Sequence, residues 1–281
     1  MAYLIALASA LLYGGADFIG GLTARRTNTI AAVLISQVAG LVLLTLMLPL
    51  LPAAAPTRLD LAWGGAAGLA GGTGVGLLYR ALAVGTMAIV APITAVCAVA
   101  IPVMAAMAFG ERPAVLALFG IGLAMASIVL VSQQPRAADT PERGATTGVS
   151  LALLSGIAIG LFFLCLARTG AAAGLWPLVS ARCASVTLFA AVAFAGGSNL
   201  RMPPPVAALV IVGGAIDMLA NLLYLIATRN GPLSIIVTLS SLYPASTVVL
   251  ARVVLGEQLS VWQGTGIACA FVAVVLIVSG A

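Results

Sequence analysis

The sequence predicts an all-α integral membrane protein of ten transmembrane helices arranged as two inverted five-helix repeats. Three observations predict it. Of 281 residues, 63% are hydrophobic and 7% charged. The apolar residues fall into ten runs of membrane-crossing length, and landmarks of the first half recur at a fixed offset in the second. Soluble domains use ~25% charged residues and keep one helix face polar. A soluble core cannot absorb this much apolar surface, so the bilayer is the solvent that fits.

A helix needs ~20 apolar residues to cross the hydrocarbon layer. The first such run is Ala2 to Leu22, which has no basic flank before it and contains Asp17, so it is expected to be a retained span rather than a signal peptide. Arg25-Arg26-Thr27-Asn28 separates it from the second, Ile30 to Leu51. The polar stretch from Pro52 to Asp60 precedes the third, Leu61 to Leu82, where Gly64, Gly65, Gly68, Gly71, Gly72, Gly74 and Gly76 permit close helix approach. Gly71-Gly72-Thr73-Gly74 lacks the Lys-Ser/Thr of a phosphate loop, which argues against ATP-driven chemistry. Gly85-Thr86 leads to the fourth run, Met87 to Phe109, with Pro92 and Pro102 as candidate kinks. Gly110-Glu111-Arg112-Pro113 leads to the fifth, Ala114 to Val131. These short breaks make successive helices antiparallel neighbours.

Gln133 to Thr147 is the longest polar stretch and divides the chain into a first repeat at 1–132, a linker at 133–147 and a second repeat at 148–281. The second set of runs is Gly148 to Ala167, Gly174 to Ala195, Val206 to Thr228, Leu233 to Leu255 (with Pro244 as a candidate hinge) and Val261 to Ser279. Ser9, Gly14, Gly110, Glu111 and Gly120 recur 146 positions later as Ser155, Gly160, Gly256, Glu257 and Gly266, and Tyr79 and Tyr224 match at 145. Five spans per half is an odd number, so equivalent helices cross in opposite directions. Inverted repeats of this kind are a recurring construction of secondary transporters, with the substrate site between the halves near the midplane.

Composition excludes other classes. All twelve basic residues are Arg, scattered without a patch, so a nucleic-acid partner is not expected. There is no His, and Cys97, Cys165, Cys183 and Cys269 sit apart in apolar runs, so neither a zinc site nor a Ser-His-Asp triad can be assembled and no cofactor is expected. Arg25, Arg26, Arg80, Arg136, Arg143, Arg201 and Arg252 outnumber Arg58, Arg112, Arg168 and Arg229 on the opposite side, which by the positive-inside rule places both termini outside.

A charged side chain at mid-membrane costs ~2.5–3.5 kcal/mol on insertion scales and needs a partner or a wet cavity. Asp217 lies near the middle of the eighth run, with Asn221 and Tyr224 on the same helical face, either as a polar stripe lining a substrate path or with Asp217 stabilising helix packing through a hydrogen bond. Ser9, Tyr13 and Asp17 share a face of the first run, where Asp17 either lines the path or, being nearer the helix end, caps at the interface or pairs with Arg25. Arg182 lies too deep in the seventh run for easy snorkelling and either binds a substrate carboxylate or neutralises Asp217. The candidate substrate-binding set is therefore Asp217, Asn221, Tyr224, Arg182, Asp17 and Tyr13, with Tyr224 favoured over Tyr79 and Tyr243 as a cavity wall. Arg80 and Arg252 are expected to snorkel, and Glu111 and Glu257 to cap and form turns, with gating as the alternative.

Gly110-Glu111 and Gly256-Glu257 resemble the Gly-Glu signature of the EamA-type branch of the drug/metabolite transporter superfamily. Ser240 to Arg252 (SSLYPASTVVLAR) resembles the most characteristic segment of that family's second repeat, Tyr13 to Phe18 resembles the start of its first, and Arg182 is similar to an Arg of the corresponding helix. The first repeat departs from the pattern, with Cys97-Ala98 where the second has Tyr243-Pro244. The resemblance implies a ten-helix exporter of small metabolites, amino acids or toxic compounds, with cytoplasmic termini, opposite to the arginine count. The expected partners are a small-molecule substrate, the lipid bilayer and a coupled proton on Asp17 or Asp217, with passive exchange as the alternative. A monomer is sufficient, and a bacterial inner membrane is the expected location. The competing readings are an intramembrane lipid-modifying enzyme and a non-transporting membrane partner.

Overall fold

The computed structural model describes residues 1–24, 27–50, 54–84, 87–133, 145–256 and 258–280. Arg25, Arg26, Glu257, the side chain of Tyr79 and the linker from Gln134 to Gly144 lie outside the described residues, and with them the expected Asp17–Arg25 pairing and half of the Gly-Glu comparison.

Among the described residues the chain is helical, with no strand. The first repeat contributes α1 (Ala2–Ala24), α2 (Thr29–Met47), α3 (Arg58–Val84), α4 (Met87–Ala108) and α5 (Val115–Val131). The second contributes α6 (Ala145–Ala167), α7 (Trp176–Ala195), α8 (Pro204–Thr228), α9 (Leu233–Ser240), α10 (Tyr243–Leu255) and α11 (Val261–Ser279). Among the described residues eight segments are long and apolar enough to cross a membrane, and Ile93–Ala108 and Val115–Val131 are shorter apolar helices. Large apolar side chains such as Phe119, Phe194 and Phe271 are exposed on the outside, as a lipid-facing surface requires.

The ninth run is not one helix. It is interrupted at Ser241–Leu242, and Pro244 sits in the first turn of α10, where its missing N–H breaks no helical bond. α4, by contrast, continues across Pro92 and Pro102.

Packing exchanges the repeats. α1 packs on α8 and α6 on α3, the same pairing with the halves swapped, while α5 packs on α11 and α2 on α7. The Ser9 hydroxyl donates to the Ala220 carbonyl at 2.8 Å and the Ser155 hydroxyl to the Gly74 carbonyl at 2.8 Å. Both members of that bond are displaced by 146 residues, so the repeated serines are explained by a repeated inter-helix clamp. Gly120 faces Ile277 and Gly266 faces Val131, again related by the same offset. A Cβ on Gly64 would collide with the Pro177 backbone and one on Gly68 with Ala181, so the glycines of α3 set its close approach to α7.

The repeated Gly-Glu has a local cause. Gly110 and Gly256 have φ of 103° and 70°, a region that L side chains rarely adopt. The turn at Gly110 delivers Glu111 to the start of α9, where its carboxylate accepts from the Leu233 N–H at 2.7 Å, the Ser234 N–H at 3.0 Å and the Ser234 hydroxyl at 2.7 Å. Glu111 thus caps a helix of the opposite repeat rather than its own turn.

Candidate functional site

The two repeats enclose a two-lobed cavity. One lobe, of about 260 Å³, lies among Asp17, Gly20, Thr23, Thr29, Ser36, Gln37 and Asp217 and reaches the end of the fold where α1 stops and α2 begins. The other, of about 210 Å³, lies deeper, between Tyr13, Gln37, Phe162, Phe163, Arg182, Asp217, Asn221 and Tyr243. Asp17, Gln37, Val75 and Asp217 line both, so the lobes meet at these side chains.

α8 supplies the centre of the polar face. Asp217 pairs with the Arg182 guanidinium of α7, whose Nε also points at the Met218 sulfur at 3.3 Å. The Arg182 side chain is 9% exposed and that of Asp217 32%, so the cation is fixed in protein while the carboxylate borders the cavity. Asn221, one turn on, donates to the Asp217 carboxylate at 3.2 Å and accepts from the Tyr13 hydroxyl of α1 at 3.0 Å. The chain Arg182–Asp217–Asn221–Tyr13 therefore ties the two repeats together across the cavity. Helical spacing of four brings Asp217 and Asn221 onto one face, as expected.

Asp17 is exposed to the cavity and makes no hydrogen bond or ion pair among the described residues. Gln37 on α2, which sequence reasoning did not single out, carries a buried Oε1 that accepts no hydrogen bond among the described residues. Its signal was available: a polar amide in the middle of the apolar run Ile30 to Leu51.

The tyrosines exchange the expected places. Tyr224 is fully buried and donates to the Phe163 carbonyl at 3.1 Å, with its ring 4.8 Å from that of Phe163, so Phe163 stands between it and the cavity. Tyr243, the first residue of α10 after the helix break, lines the deeper lobe, 6.1 Å from the Tyr13 ring. Arg80 and Arg252 are exposed and line neither lobe.

The end of the fold opposite the first lobe is bound together by polar contacts. Asp60 at the start of α3 accepts from the Gly170 N–H at 2.7 Å, and Arg229 after α8 donates to the carbonyls of Gly170 at 3.1 Å and Gly174 at 2.8 Å. Arg168 lies over the Phe109 ring at 3.8 Å, and Glu111 caps α9 at the same end.

The EamA-like transporter family matches residues 1–133 and 146–279, one match for each repeat. A solved structure titled "Crystal structure of protein" shares 16% identity, covers 98% of this chain and 95% of its own, and superposes with a TM-score of 0.77, a likeness of fold. No curated protein matches. The match is to a family of transporters, and with the apolar helices it makes the chain an integral multi-pass membrane protein.

Proposed function

Since the chain belongs to the EamA-like transporter family, we propose that it is a secondary carrier that exports small metabolites, amino acids or related compounds, from a bacterium across its inner membrane. It crosses the bilayer ten times, with α4 and α5 as two of the crossings. The substrate enters the cavity between the repeats, and access alternates as one repeat rocks on the other. The observation that carries this reading is the cavity itself, whose polar wall is shared between the repeats: Tyr13, Asp17 and Gln37 from the first, and Arg182, Asp217 and Asn221 from the second.

Charged groups at membrane depth are costly enough to default to function. An ion pair spanning α7 and α8 gives substrate something to act on. A ligand that takes over either partner removes a bond between helices and so changes the relative stability of the two access states, which is the condition for coupling binding to a conformational change. A proton on Asp17 or Asp217 supplies the driving force.

Counterflow of radiolabelled amino acids and amines in proteoliposomes tests the carrier. Uptake into substrate-loaded vesicles, lost in Asp217→Asn and Arg182→Ala, is expected; no exchange of any solute by folded protein would sink the reading. If Asp17→Asn with Asp217→Asn leaves transport driven by a pH gradient intact, the proton role fails.

A further inference from the structure

Within that carrier reading, the geometry points to Asp17 and Gln37 as an ammonium-binding subsite, and to a small organic amine with an apolar body as the cargo. Among the described residues two carboxylates and one guanidinium face the cavity: Asp17, Asp217 and Arg182. Arg182 is committed to Asp217, so among the described residues Asp17 is the cavity carboxylate left without a cation. Asp17 has no partner among the described residues, and Gln37 Oε1 is buried without a donor. Both side chains line both lobes, so the junction of the cavity brings together the Asp17 carboxylate and the Gln37 amide, acceptors that no described residue satisfies.

An ammonium group answers that pattern, because it has three donors, no acceptor and the opposite charge. At membrane depth the attraction is screened far less than in water. The deeper lobe, with Tyr13 packed edge-on to Phe163 at 6.2 Å and beside Tyr243 at 6.1 Å, supplies an aromatic surface for the apolar part of the same molecule. Ammonium at the junction and an apolar body in the deeper lobe use both features at once.

The same charges work against other ligands. A carboxylate must displace Asp217 from Arg182 and face Asp17 with like charge. A zwitterion gains Asp17 at one end and competes with Asp217 for Arg182 at the other. The order of affinity is therefore amine, then amino acid, then carboxylic acid, which narrows the cargo class within the carrier reading.

Calorimetric titration of the purified full chain with 2-phenylethylamine, phenylalanine and 3-phenylpropionate tests that order, followed by counterflow of the same three compounds in proteoliposomes. The amine is expected to bind about ten-fold tighter than phenylalanine, with no binding of 3-phenylpropionate. Asp17→Asn is expected to weaken the amine by about ten-fold or more and Gln37→Leu by several-fold. Thermal unfolding checks that each variant folds, and Gln37→Leu decides alone if Asp17→Asn does not fold. The subsite is wrong if the wild type does not bind the amine, if either acid-bearing compound binds as tightly, or if the folded variants bind the amine unchanged. An amine that binds as described but is not exchanged would leave the subsite and remove the carrier. Exchange of phenylalanine indifferent to Asp17→Asn would do the reverse.

Discussion

At the residue scale the site is a matter of which charges have partners. Arg182 and Asp217 neutralise each other in a setting where the cation is almost fully enclosed. Removing one partner of a buried pair costs ~3–5 kcal/mol because the other is left uncompensated. Asp217 reaches the cavity, so Arg182→Ala is expected to cost less, about 2 kcal/mol, measured by thermal unfolding in detergent. The double variant Arg182→Met with Asp217→Leu leaves neither charge stranded. It is expected to recover most of that stability while losing counterflow, and recovery of both would show that the pair is structural. Much of this centre was legible, because an Asp in an apolar run must have a reason and Asn221 follows it by four residues. The pair itself was one of two readings of Arg182. Gln37 gives a weaker signal, because an uncharged amide costs less than a charge in the same place. The exchange of Tyr224 and Tyr243 was beyond spacing: it depends on the Phe163 ring, which comes from another helix and covers one tyrosine but not the other.

At the element scale, helix ends and breaks decide how the repeats engage. The N–H groups of Leu233, Ser234 and Ile235 in the first turn of α9 have no partner within the helix, and Glu111 satisfies two of them from across the repeat boundary. A carboxylate also sits well at the positive end of the helix dipole. Glu111→Ala is expected to destabilise the fold by about 1–2 kcal/mol and Glu111→Gln by less, since the amide oxygen still accepts; equal losses in thermal unfolding would mean that charge, not acceptance, matters. The sequence pointed to a capping role but to the local turn, because a partner 122 residues away leaves no trace in spacing. Close helix approach is a second element-level device. A side chain on Gly68 meets the backbone of α7, which has no rotamer to yield, so Gly68→Leu is expected to abolish folded protein in size-exclusion profiles, whereas Gly76→Leu, with open space around it, is expected to be tolerated. The division of the ninth run at Ser241–Leu242 was hidden because an uninterrupted apolar stretch reads as one helix, and Pro244 fits equally a kink or a new first turn.

At the scale of the molecule the two-repeat layout was legible in the constant offset of 146, and the family match falls once on each half; the inversion of the repeats rests on the proposed five spans per half. On the carrier reading proposed above, which end is closed was not legible, because an access state is a property of a conformation and both states would share one sequence. In this state the cavity extends to the end where α1 meets α2, and the far end is held by Asp60, Arg229 and Glu111 against the α6–α7 connection and α9. Arg229 grips two carbonyls of that connection, Gly170 and Gly174, and Asp60 takes the Gly170 N–H, so three elements are joined through one short segment. Removing Arg229 deletes contacts belonging to the state closed at this end, and so must shift population toward the other state if the two interconvert. In a cysteine-free background, a single cysteine at Ser36 in the first lobe is expected to react with a membrane-impermeant maleimide from one side only, and one at Thr169, buried at the far end, to be protected. Adding Arg229→Ala is expected to raise labelling at position 169 from the opposite side and to lower it at position 36, shifting the ratio of the two by about ten-fold for a loss of ~1.4 kcal/mol. The two changes must be reciprocal if access alternates. A rise at 169 with no fall at 36 would describe a loosened end or an open pore, and would separate a carrier from a channel built on the same repeats.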